Sequence, residues 1–193
     1  MAKVTGPLFS LTASGKLGDA IVYTKWRGIL AVRSYVKPYN PETAGQLAVR
    51  ESFSDAVTDF HELSGADVAA MRKAAENKPY TGFNLYISWV RTAVEAASTW
   101  VRIKDVSASD LTSSGATING TPNQAGILKV FYGTTPGSWT GSVSEASSHD
   151  ADVNHEIDIT GLEASTTYWY QLVYPLATAK EGKAGYYSFT TAS

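Results

Sequence analysis

Three histidines, His61, His149 and His155, are the only imidazoles in the 193 residues, and cysteine is absent. Hydrolytic and metal-assisted chemistry needs imidazoles, thiolates or carboxylates converging at fixed geometry. Such groups crowd in one stretch, "HDADVNH", which holds His149, Asp150, Asp152 and His155. Its spacing is neither that of a calcium loop nor that of two histidines one helical turn apart. A solvated loop between strands is expected there, and no catalytic residue, metal or cofactor is assigned anywhere in the chain. "GKLGD" invites a phosphate-loop reading, but the full G-x4-G-K-[ST] spacing is missing and a strand pattern follows it. Backbone amides at the mouth of a helix are therefore not expected there, and Gly15 and Gly18 read as turn residues.

What remains is surface chemistry. Residues 1–41 carry six Lys/Arg against the single acid Asp19, whereas residues 101–193 carry five against nine Asp/Glu, within a chain of net charge −2. Such a split favours an electrostatically complementary contact with a nucleic acid, another protein or a second copy. Lys16, Lys25, Trp26, Arg27 and Arg33 cluster in the basic stretch. A cation–aromatic–cation run could stack on and neutralise single-stranded nucleic acid. The bases are few and the whole chain is slightly acidic, so a protein partner is the preferred reading. Gln46 and Arg50, one helical turn apart, are further candidate interface residues. Trp139, in the turn-rich "TTPGSWTGS", and strand aromatics such as Tyr132, Trp169, Tyr186 and Tyr187 raise a glycan contact by ring stacking.

Three regimes of periodicity must position these groups. "AIVYTKW" and "ILAVRSYV" alternate as strands around Arg27-Gly28, a hairpin with Leu30, Val32, Ser34 and Val36 on one face and Ala31, Arg33 and Tyr35 on the other. A lone hairpin is marginal in water and needs something to lie on. Pro38 and Pro41 stop the strand, with Asn40 expected to cap a helix over 42–62 and Leu47, Phe53, Val57 and Phe60 as its stripe. Ser64 and Asp67 form a capping-box pattern for a second helix. Phe83, Tyr86, Val90 and Val94 mark a third over 81–99. From Val101 the chain turns to short alternating strands rich in Ser, Thr and Gly: "VRIKDVSAS", "GATINGTP", "GILKVFYGT", "NHEIDIT", "TTYWYQLVYPL" and "GYYSFTT". The fold class expected is an α+β N-terminal domain over 1–100, hairpin plus three helices, followed by an all-β sandwich over 101–193.

Two resemblances sharpen this. "ITGLEASTTYWYQL" resembles the E-to-F corner of fibronectin type III domains, an immunoglobulin-like sandwich, with Leu162, Thr166 and Tyr168 at the family's leucine, threonine and tyrosine positions. The resemblance implies that the Tyr168 hydroxyl bonds back to the corner backbone as a structural element. The tryptophan usual on the early inward strand is missing, and Ile118 is the nearest candidate for its place. The N-terminal half is similar to a pattern recurrent in tailed-phage and prophage proteins: S-G-x-x-G, a basic hairpin, N-P-x-T-x-x-Q-x-x-x-R-x-x-F, then G-[FY]-N-L-[FY]. Ser14, Gly15, Gly18, Asn40, Pro41, Thr43, Gln46, Arg50, Phe53 and the run Gly82 to Tyr86 match it. That similarity implies a non-enzymatic virion component decorating capsid, neck or tail, with other virion proteins and further copies of the chain as partners. The alternatives are a glycan-binding receptor module and a nucleic-acid-binding packaging protein. No window reads as a membrane span and "MAKVTGPLFSLTASG" has no signal-peptide core. The expected product is therefore soluble, made in a host bacterial cytoplasm and resident in the virion.

Overall fold

The computed structural model describes residues 2–3, 14–37, 40–175 and 180–193. They divide into two compact units, Met1–Thr43 and Ala44–Ser193.

In the first unit the hairpin is the centre of a four-stranded antiparallel sheet. Its strands are β1 (Ala2–Lys3), β2 (Gly15–Leu17), β3 (Ile21–Trp26) and β4 (Ile29–Ser34), in the order β1-β4-β3-β2. The β3–β4 turn is Arg27-Gly28, as the pattern indicates, with φ of +50° and +81°. Two successive left-handed residues give the tight turn whose twist matches that of the strands, and glycine takes the second without a Cβ penalty. Register then sorts the side chains. Leu17 and Ile21, Tyr23 and Val32, and Lys25 and Leu30 are cross-strand partners, while Lys16 and Arg33 both pair with Val22. One face therefore carries Leu17, Ile21, Tyr23, Lys25, Leu30, Val32 and Ser34, and the other Lys16, Val22, Thr24, Ile29, Ala31 and Arg33. The sheet forms one layer, and among the described residues of this unit only Ala31 is buried.

The second unit begins with helices α1 (Ala44–His61), α2 (Gly65–Ala74) and α3 (Gly82–Glu95). Helix α1 starts later than the Asn40–Pro41 signal implies, because Glu42 sits at φ +46°, outside helical space. The capping box of α2 forms in full: Ser64 Oγ accepts from the Asp67 amide, and Asp67 accepts from the Ser64 amide. Helix α3, capped by Thr81, stops at Glu95 rather than 99. Thr99–Trp100 form β5 instead, pairing in parallel with β12 (Lys180–Lys183). Trp100 Nε1 donates to the Tyr86 hydroxyl at 2.9 Å, locking the helical core of Ala56, Met71, Leu85, Val90 and Ala93 onto the start of the sandwich.

The remaining strands are β6 (Ile103–Ser109), β7 (Gly115–Pro122), β8 (Lys129–Gly133), β9 (Gly141–Ser144), β10 (His155–Thr160), β11 (Thr167–Tyr174) and β13 (Tyr187–Thr190). They form two sheets, β10-β7-β6 and β5-β12-β11-β8-β9, with β13 on β11. Inward residues alternate along β10 and β7, and the two sheets share a core that includes Ile118, Ile157, Leu128, Val130, Tyr170 and Leu172. Ile118 is fully buried. Sequence reading put the domain break near Trp100, whereas the contacts group the three helices with the sandwich from Ala44 onward.

Candidate functional site

The basic residues singled out in the sequence do not form one patch. Lys16 and Arg33 lie on the same sheet face, Lys25 lies on the opposite, apolar one, and Arg27 sits in the turn. Trp26 ends β3 opposite Ile29, and its side chain lies outside what the structure describes. Lys16 pairs with Asp19 at 2.6 Å, and its ammonium stands 4.2 Å from the centre of the Tyr35 ring. The apolar face is more distinctive. It is a continuous row of five large side chains, none buried and Leu17 half exposed. Ile21, Tyr23, Leu30 and Val32 are partly buried, and Leu17 stands exposed at the edge of the row.

A second uncovered surface lies on α1. Val49, Phe53, Ala56 and Phe60 recur at helical spacing and form one stripe, from which Leu47 departs by nearly half a turn. At its C-terminal end the stripe is covered: Ala56 is fully buried, and Phe60 meets Phe83 and Tyr86 edge-on at 5.1 and 5.6 Å. At its N-terminal end it is open, with every residue from 44 to 51 exposed, Val49 at 52% and Phe53 at 47%. Gln46 and Arg50 flank this open end and are exposed.

The joint between helices and sandwich is built on Asp67, which sequence reading identified only as a cap. Its carboxylate is buried and accepts from the Asp105 and Val106 amides at 3.0 and 3.2 Å and from the Tyr187 hydroxyl at 2.7 Å, besides the Ser64 bonds. The two amides are available because β6 carries an extra residue between Lys104 and Ser107, with Asp105 at φ +55°. This bulge turns them out of the ladder. Burial, with the Asp67 charge behind it, pushes the Tyr187 hydroxyl well above the ordinary tyrosine value. A second tie is Arg102, whose guanidinium meets Asp59 at 2.6 Å and Glu62 at 2.8 Å. Desolvation of the Asp59 carboxyl outweighs the attraction of Arg102, and its pKa is raised. Beside the Asp67 joint runs an open groove of about 610 Å³, with Ala66, Ala69 and Lys73 of α2 on one side and Trp169, Tyr186 and Ser188 on the other. Trp139 borders this region, half-buried and edge-on to Tyr186 at 5.2 Å.

The loop acids and histidines separate. His149 and His155 approach to 4.9 Å between ring centres. The group that holds them is Glu145, whose carboxylate lies 2.9 Å from His155 Nδ1 and also accepts from the Leu128 amide. Among the described residues no group of three or more potential ligands is placed to hold a metal ion. Glu145 was missed because it lies ten residues from His155 on a separate strand connection. At the corner the Glu163 amide donates to the Tyr168 hydroxyl at 3.1 Å, the bond the resemblance implies.

Comparison with protein-family models gives no match, and comparison with curated proteins gives none either. Among solved structures the chain is similar in part to β-sandwich domains. A computationally redesigned β-sandwich protein is 20% identical, covering 47% of this chain and 94% of its own, at a TM-score of 0.36. The sensor domain of the anti-sigma factor RsgI4 of Pseudobacteroides cellulosolvens is 18% identical over 48% of this chain and 95% of its own, at 0.36. A fibronectin type III domain from the human KIAA0970 protein is 16% identical over 53% of this chain and 80% of its own, at 0.38.

Proposed function

We propose that the chain is a non-enzymatic structural component of a tailed-phage particle, held in a repeated assembly by its N-terminal unit, with the β-sandwich as the decorating module. The observation that carries this reading is the single-layer sheet of the first unit. Among the described residues of that unit only Ala31 is buried, and Leu17 and Ile29 stand exposed, a form that makes sense when another molecule completes the layer. The phage-like sequence pattern supplies the setting, since Gln46, Arg50 and Phe53 of that pattern all fall on the exposed first half of α1. Its partners are then other virion proteins and further copies, and attachment is strengthened by valency, many weak contacts acting together. Gradient-purified particles digested and read by peptide mass spectrometry test this. The chain is expected to sediment with filled particles in many copies, and its confinement to the soluble fraction overturns the reading.

A second reading, a glycan-binding module on the same particle, draws support from the groove beside Trp169 and Tyr186. Concave sites lined by aromatic rings with a few hydroxyls suit sugar faces. Binding on a glycan array, abolished by Trp169→Ala or Trp139→Ala, would favour it.

A further inference from the structure

We propose that the groove between α2 and β13 takes a short acidic glycan, a sugar that carries a carboxylate, with Trp169 as its platform and Lys73 as its counter-ion. This deepens the glycan-binding reading, on which it rests, by adding a charge requirement. The groove lies wholly within the second unit, and its volume of about 610 Å³ falls in the range of small-ligand sites. Of the side chains that line it, Lys73 alone is charged. Its ammonium stands 4.9 Å from the centre of the Trp169 ring and pairs with Glu76, three residues along the chain and half exposed. Such a surface pair is worth little and is readily exchanged for another anion. Asp67, beneath the groove, is buried and already bonded to the Asp105 and Val106 amides and the Tyr187 hydroxyl. The lining itself therefore presents a positive charge, and an anionic ligand complements it.

The position of Lys73 selects an acidic sugar over a neutral one. Trp169 is half-buried, and the ammonium over its ring occupies the face on which a pyranose would stack. A neutral sugar must displace that cation and returns nothing to it. A uronic or sialic acid displaces it too, but its carboxylate then pairs with the ammonium, which the flexible lysine stem keeps within reach. Such a sugar carries an apolar C–H face and a carboxylate on one rigid ring, a combination that an acidic peptide lacks. Groups for its hydroxyls stand alongside. The Thr191 amide donates to the Thr166 carbonyl, next to β11, while the Tyr186 and Ala192 amides turn the other way, to Ala70 and Thr112. Alternation then directs the amide and carbonyl of Ser188 away from β11, where they meet no other described backbone group. Ser188 is exposed and lines the groove, as does Ser107 of β6.

The test is calorimetric titration of the full chain with tri-galacturonic acid and with its methyl ester, the same sugar without its charge. Sialyllactose against lactose forms a second pair, so that uronic and sialic acids, the two sources of this chemistry, are told apart. In at least one pair the acid is expected to bind about tenfold more tightly than its neutral counterpart. Lys73→Met keeps an unbranched stem on α2 and removes the charge. It is expected to erase the ratio from both sides: the acid weakens, and the neutral sugar gains about threefold on the uncovered ring. Trp169→Ala is expected to abolish binding of both. Should that variant lose its β signal by circular dichroism, the partly exposed Lys73→Met decides the matter alone. Acid and neutral sugars bound equally by the wild-type chain overturn the charge requirement and leave the glycan reading standing. So does a preference for acid that survives Lys73→Met. Tri-glutamate bound as tightly as the acidic sugar shows a bare cation site and overturns the ligand class. No binding of any sugar overturns the acidic-glycan site and the glycan reading together.

Discussion

Asp67 shows how much one side chain can carry. A cap at the third position of a helix ordinarily satisfies one backbone amide and contributes about 1 kcal/mol. Here the same carboxylate closes the capping box, receives two amides freed by the β6 bulge and accepts the Tyr187 hydroxyl, all out of water. Asp67→Asn keeps the volume but turns an NH2 group toward donors, leaving several of them unpaired in a buried site. A loss of about 3 kcal/mol is expected from the urea midpoint at unchanged slope, against about 1 kcal/mol for Ser64→Ala. Equal losses would mean that Asp67 is a helix cap and nothing more. Tyr168→Phe, which removes the hydroxyl that accepts from the Glu163 amide, is expected to cost about 1 kcal/mol by the same measurement.

Between elements, α2 comes into direct backbone contact with the strand entering β13. The Tyr186 amide donates to the Ala70 carbonyl at 3.1 Å, and a Cβ built on Gly185 would lie 2.3 Å from the Ala70 carbonyl carbon. Backbone cannot yield as a side-chain tip can, so Gly185→Ala must push α2 away from the sandwich. A loss of about 2 kcal/mol is expected, with a change in the near-ultraviolet signal of the tryptophans and tyrosines at the joint. The sequence pattern reveals the parts of this assembly better than their joining. Ser64 and Asp67 announce α2, Arg27-Gly28 announces its turn, and the span of β7 can be read directly from "GATINGTP", because each signal is local. Strands of two to four residues such as β2, β5, β9 and β12 carry too little alternation to be seen. The bulge at Asp105, the positive φ at Glu42 and the Glu145–His155 pair depend on partners distant in sequence. Of the candidate surfaces, the apolar sheet face is legible from alternation alone. The open end of the α1 stripe is not, because only the finished packing shows where α3 stops covering it.

Across the whole molecule, the distribution of buried tyrosines reports whether helices and sandwich behave as one body. Tyr86 sits in the helical core, Tyr187 at the Asp67 joint and Tyr170 in the sandwich, and burial raises the pKa of each. A raised folded-state pKa means that above the ordinary tyrosine value, near 10, the folded chain holds protons that the unfolded chain has lost. Stability is therefore complete below about pH 10 and declines as the pH climbs toward the folded values. With the three hydroxyls in different layers of a unit tied by Asp67 and Arg102, their phenolate absorbance at 295 nm should rise in one step, together with the loss of far-ultraviolet ellipticity. If the helices came away first, part of that absorbance, the share of Tyr86, would appear while the β signal was intact. The same titration on a chain shortened to residues 44–193 is expected to give the same midpoint, since neither described tyrosine of the first unit, Tyr23 or Tyr35, is buried. A midpoint lowered by a full pH unit would show that the N-terminal sheet stabilises the second unit.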